Sequence, residues 1–150
     1  MSPQTVKIII ALGLFLHGLA HGRASLVLLE DAAGIRTGSW LPVRSWLFPS
    51  LSQRVTNLIA GLFWLLSTIG FIAASLSFWG ILVPGDVWRQ LAVSSAIIST
   101  LGIALFSGTW PGAPSRAMST LDTVIALVVN AAILVALLWL NWPPIDLFGK

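Results

Sequence analysis

The sequence predicts an all-α integral membrane protein: a four-helix transmembrane bundle, one domain over residues 1–150, with one long interfacial loop. Hydrophobic residues make up 57% of the chain and charged residues 9%, against about 25% charged in an ordinary soluble domain. Mean hydropathy is +0.93. Four stretches approach the roughly 20 apolar residues that a helix rising about 1.5 Å per residue needs to cross a hydrocarbon core about 30 Å thick. This composition excludes a soluble globular domain, a disordered tail and a nucleic-acid module. The net charge of +3 rests on eight Lys and Arg, which in such a chain set topology and meet anionic head groups. No cysteine is present, which excludes disulfides, iron–sulfur clusters, thiolate metal sites and cysteine nucleophiles.

The first span is expected over residues 5–22, with Lys7 near enough to one end to snorkel. Its uncharged core, Ile8–Gly22, is short, and Lys7 followed by Ile8–Ala20 also reads as a signal peptide with a small-residue cleavage site near Gly22–Ser25. Two histidines beside the apolar run argue for a retained helix. The second span, residues 57–79, lies in the charge-free stretch Val55–Gly85, and the third, residues 87–106, overlaps the charge-free stretch Gln90–Ser115. The fourth, residues 121–140, is stopped by Trp142-Pro143-Pro144. Pro84-Gly85 and Pro111-Gly112-Ala113-Pro114 break the chain on either side of the third span. Both connections are short, so spans two to four are expected to be antiparallel neighbours.

The long connection, residues 23–54, carries Ser39-Trp40-Leu41-Pro42-Val43-Arg44-Ser45-Trp46-Leu47-Phe48-Pro49. Aromatics, leucine and arginine together read as an interfacial segment, either a topological anchor or a lid over a site between helices. Tryptophans favour the membrane–water interface. Trp79, Trp88, Trp139 and Trp142 are expected at one face and Trp40, Trp46 and Trp110 at the other, with Trp64 mid-span. Arg23, Arg36, Arg44, Arg54 and Arg116 on the long-loop face outnumber Lys7, Arg89 and Lys150 opposite. That bias places the long loop in the cytoplasm and both termini outside, in a multi-pass protein of the cell (inner) membrane.

Polar residues within apolar spans are the default functional candidates. The topology is expected to gather His17, His21, Arg23, Arg54, Asn57, Arg116 and Asp122 in one membrane half. His17 and His21, at i and i+4, share one helical face. That spacing serves two ligands of one metal ion, with Asp122 the candidate third ligand. Without a metal, Asp122 would orient an imidazole and His17 and His21 would be a proton-transfer couple, making these three the catalytic candidates. Head-group contacts for the histidines and helix-dipole complementation by Asp122 are the plainer alternatives. Asn57 and Asn130 complete the candidate ligand-binding set with His17, His21 and Asp122; Asn130 equally suits a bond across a helix interface. Gly18 with Gly22, Ala60-Gly61, and Ala92, Ser95 and Ser99 are small residues that permit close helix approach and leave an oligomer interface open.

The opening helix IIIALGLFLHGLAHG resembles that of small DoxX-like bacterial membrane proteins, four-helix chains of similar length that often carry Leu-x-x-His-Gly there. Trp88-Arg89-x-Leu91-Ala92-Val93, LFSGTW at 105–110, Leu121-Asp122 and Asn141-Trp142-Pro143-Pro144 are similar to uncharacterised bacterial proteins of the same build. The resemblance implies the four-helix fold and, for some DoxX-like members, quinone-linked oxidation of sulfur compounds. Two functions follow as expectations. The first is an accessory subunit of a larger membrane complex, or a binder of an apolar ligand, embedded in the lipid bilayer. The second is a membrane enzyme or quinone-linked oxidoreductase subunit using His17 and His21 for proton transfer, with a quinone or a metal ion as cofactor. The residues do not decide whether the chain is an enzyme.

Overall fold

The computed structural model describes residues 2–35, 42–82, 84–106 and 110–144. Arg36, Ser39-Trp40-Leu41, Ser107–Thr109 and Lys150 lie outside the described residues. Four helices follow one another: α1 (Pro3–Ala32), α2 (Gln53–Phe78), α3 (Trp88–Leu105) and α4 (Arg116–Leu134), the last continued by a π-helical turn over Val135–Trp139. Each is long and apolar enough to cross a membrane, and no strand occurs among the described residues.

Local chemistry sets the ends. Serine caps three helices: Ser2, Ser52 and Ser115 accept from the backbone N–H groups of Thr5, Val55 and Met118, and Pro3 occupies the first turn of α1, where its missing N–H costs nothing. Two helices end in the same left-handed glycine turn. Gly34 (φ +74°) donates to the Asp31 carbonyl while Ile35 donates to that of Glu30; Gly80 (φ +65°) and Ile81 do the same with Ser77 and Leu76.

The expected boundaries hold for the middle helices to within a few residues. They change for α1, which runs 30 residues rather than ending at Gly22. Arg23 is exposed and its long side chain can leave an apolar surface, so the charge does not break the helix. Gly34 is the actual stop. The connection to α2 is correspondingly shorter than residues 23–54. Its described part straps one end of the bundle: Val43 is fully buried, and the Trp46 indole N–H donates to the Ala104 carbonyl at the end of α3.

Packing proceeds in sequence, α1 on α2, α2 on α3 and α3 on α4, while α4 stands away from α1. Close approach depends on small residues. A Cβ on Gly18 would lie 3.1–3.3 Å from Ile72, Phe71 and the Thr68 carbonyl, and one on Gly61 2.9 Å from Leu29. At Gly70 a Cβ would fall 1.9 Å from Ser95 Oγ, a hydroxyl that donates to the Leu91 carbonyl at 2.6 Å. Gly70→Ala is therefore expected to destabilise the α2–α3 contact by about 1–2 kcal/mol. Adding Ser95→Ala, which removes the clashing oxygen, should restore most of the loss in a thermal-unfolding comparison of the single and double variants.

The loop between α3 and α4 turns inward, which corrects one expectation. Trp110 does not sit at an interface; it is 9% exposed and belongs to the core with Leu28, Val43, Trp64 and Phe106. Small residues let the loop enter: Gly112 (φ +78°) packs against Val27, Pro111 and Ala113 are buried, and the Trp110 backbone N–H donates to Ser119 Oγ. At the opposite end Trp79, Trp139 and Trp142 are exposed and Trp88 is half-buried, with Lys7 Nζ 5.1 Å from the Trp79 ring centre.

Candidate functional site: a polar network beside a lateral cleft

The extended α1 moves the histidines. The stretch between Lys7 and Glu30, interrupted only by the exposed Arg23, is centred near Gly18, so His17 and His21 lie midway along the helix and not near its end. Asn130 lies in the last third of α4, near the midpoint of that helix counted with its π-helical continuation, and Ser99 and Thr100 lie just past the midpoint of α3. These five side chains form one hydrogen-bonded group. His17 Nε2 is 3.0 Å from Asn130 Oδ1 and 3.3 Å from His21 Nε2. Asn130 Nδ2 donates to Ser99 Oγ at 2.7 Å and to Thr100 Oγ1 at 3.3 Å. Ser99 Oγ is 3.0 Å from His21 Nε2, and the Thr100 hydroxyl donates to the Ala96 carbonyl at 2.8 Å. Aromatic rings enclose the network. Phe71 stacks on His21 at 5.8 Å and meets His17 edge-on at 4.8 Å, while Trp110 lies 5.3 Å from His21. His21 and Asn130 are 1% and 0% exposed.

The other predicted site residues lie elsewhere. Asn57 is about 21 Å along α2 from Phe71, fourteen residues at about 1.5 Å each. There its amide donates to the Asp31 carboxylate and its carbonyl accepts from Gln53 Nε2 at 2.8 Å. Gln53 also donates to the Val43 carbonyl at 2.8 Å, so this second group ties α1, α2 and the strap together at one end of the bundle. Asp122 lies eight residues before Asn130, about 12 Å along α4, and hydrogen bonds neither histidine. The expected gathering of His17, His21, Arg23, Arg54, Asn57, Arg116 and Asp122 is thus divided, because the longer α1 places the histidines at mid-helix.

That division bears on metal binding. Among the described residues no three His, Cys, Asp or Glu side chains come together. A divalent ion between the two Nε2 atoms would meet only neutral ligands, leaving both positive charges uncompensated midway along apolar helices. The donor set does not fit a resident divalent ion. It does fit a neutral chain of hydrogen bonds.

Sequence reasoning missed Ser99 and Thr100 as members of the network and Phe71 and Trp110 as its walls. Ser99 was visible only as one of a stripe of small residues on α3. Its place beside Thr100, in a half of α3 with no other polar side chain, is the signal that could have drawn attention to it.

Beside this network lies a cleft. Because α4 stands away from α1, a space of about 590 Å3 opens between them, within the usual range for small-molecule sites. Leu14, Ile133 and Leu137 form its floor, Trp88, Trp142 and Pro143 close its lower end, and His17 is its one ionisable wall residue. Its lips, including Gly13, Leu16, Val128 and Ala132, are exposed, so the mouth faces sideways from the bundle. Comparison with protein families, with curated proteins and with solved structures finds no match for this chain.

Proposed function

We propose that this chain is a multi-pass integral membrane protein that binds an apolar, lipid-like ligand in the cleft between α1 and α4. The observation that carries the reading is a space of about 590 Å3 with almost wholly apolar walls and a single histidine on them, itself anchored to a buried asparagine. Apolar sites with a few well-placed polar groups are the usual form of small-molecule pockets. Embedding is supported by four helices of sufficient length and hydropathy and by exposed tryptophans near one end of the bundle. Arg23, Arg44, Arg54 and Arg116 toward the strap end, against Lys7 and Arg89 toward the other, support a cytoplasmic strap. Lipid is the partner this site fits, and no larger complex is required for it.

The test is retention of ligand through purification in mild detergent, read by mass spectrometry of extracted lipids. One amphiphile per chain is expected with the native sequence. Val129→Trp, which fills the cleft from α4 without touching the polar network, should lower that occupancy at least tenfold while leaving the unfolding temperature unchanged. Equal retention by both proteins would refute the reading.

A further inference from the structure

The polar network dictates which kind of head group the cleft accepts. Thr100 uses its proton on the Ala96 carbonyl, so its oxygen can only accept from Asn130, which fixes Nδ2 toward α3 and Oδ1 toward His17. Asn130 Oδ1 has no proton to give; the hydrogen on that bond therefore belongs to His17 Nε2. The His17 Nε2 hydrogen also faces His21 Nε2, with 3.3 Å between the two nitrogens, so the His21 nitrogen is an acceptor and takes the proton of Ser99, whose oxygen accepts from Asn130 Nδ2. His21 in turn carries its proton on Nδ1, shut away without a partner among the described residues. Neutral His17, protonated at Nε2, is left with a bare lone pair on Nδ1. That nitrogen has no partner among the described residues, and unlike its counterpart in His21 it is not sealed inside the bundle. His17 lines the cleft, and its only unengaged polar atom is an acceptor.

We propose that the ligand is a neutral lipid with a hydroxyl head group, whose O–H donates to Nδ1 of His17 while its chain fills the apolar cleft toward Trp88 and Trp142. This rests on the reading of the cleft as a lipid site and adds the head-group chemistry. A carbonyl or ether oxygen at the same place would face the lone pair with no proton between them. A charged head would be stranded among apolar walls. The selectivity is built by residues that the ligand never touches: Thr100 and Asn130 act as positioning residues, transmitting to His17 the direction in which its proton must lie.

The experiment is an internal competition. The protein in phosphatidylcholine nanodiscs is loaded with an equimolar mixture of 1-hexadecanol and its methyl ether, and native mass spectrometry reads the ratio bound. The native chain should hold the alcohol over the ether by on the order of tenfold, the effect of one neutral hydrogen bond. His17→Phe, which keeps a ring but removes the acceptor, should bring the ratio to about one. Binding of both probes without preference in the native protein would overturn the head-group inference and leave the lipid site standing. Failure of both to bind would overturn the site reading itself and the inference with it. A preference for the alcohol that survives in His17→Phe would remove His17 from the role. The native-protein ratio needs no variant, so a folding defect in His17→Phe does not blunt the test.

Discussion

Asn130→Leu is expected to destabilise the bundle by about 2 kcal/mol and to abolish the alcohol preference of the cleft. Asn130 is fully buried and bonds three partners on two helices. Leucine has the same branched arrangement of four side-chain heavy atoms, so the main loss is one of hydrogen bonding. Leaving buried partners unsatisfied costs about 1–3 kcal/mol, moderated here because His17 retains a contact with His21 and Thr100 its bond to Ala96. Hydrogen bonds between membrane helices average about 0.6 kcal/mol by double-mutant cycles, which keeps the estimate at the lower end. The diagnostic comparison is the quadruple variant His17→Phe, His21→Leu, Ser99→Ala, Asn130→Leu, in which every side chain with a broken bond has become apolar except Thr100, which keeps its bond to the Ala96 carbonyl. It should unfold close to the native temperature, since replacing both partners of a buried pair is far less costly than orphaning one. A quadruple variant no more stable than Asn130→Leu would show that the network contributes through something other than its mutual satisfaction.

Gly18→Leu is expected to have a larger effect, about 3 kcal/mol, because it acts on main-chain separation. Even one carbon at Gly18 meets Ile72 Cγ1, Phe71 Cβ and the Thr68 carbonyl within 3.1–3.3 Å. Three further heavy atoms cannot be absorbed by a side-chain rotation, since two of the contacted atoms sit at or next to the backbone of α2. The helices must part, and overpacking of this kind costs about 1–3 kcal/mol or more. Parting them also withdraws His17 and His21 from Phe71. Gly13→Leu on the same helix serves as control: nothing lies within 4 Å of a Cβ there. The control should unfold like the native chain and instead crowd the cleft, whose lip Gly13 forms. Circular dichroism during thermal unfolding separates the two outcomes.

The four helices were legible because each is an apolar stretch between charges or breakers. Their number followed from composition and their antiparallel order from short connections. The end of α1 was not legible, because Arg23 looks like a boundary to any reading that weighs charge, whereas the physical stop is the left-handed turn at Gly34. That ten-residue difference propagated into the site. It put the histidines at the middle of α1 and paired them with Asn130, where the shorter helix had suggested Asp122. The i and i+4 spacing of His17 and His21 and the mid-helix position of Asn130 were visible individually; their meeting required knowing how far each helix extends. Trp110 was misplaced for a related reason. A tryptophan in a short loop ordinarily anchors at an interface, but the small residues Gly112 and Ala113 let this loop descend among the helices.

In the proposed membrane-embedded lipid site, the sideways mouth of the cleft would decide what concentration means. An opening at either end of the bundle would sample solutes from water, and occupancy would follow their molarity. Under the proposed embedding, an opening between α1 and α4 would sample the leaflets around it, and filling would be governed by a mole fraction in two dimensions. A lipid present at one molecule in a hundred is then abundant, even when its aqueous concentration is vanishingly small. Saturation would follow changes in bilayer composition and stay indifferent to the volume of the compartment on either side.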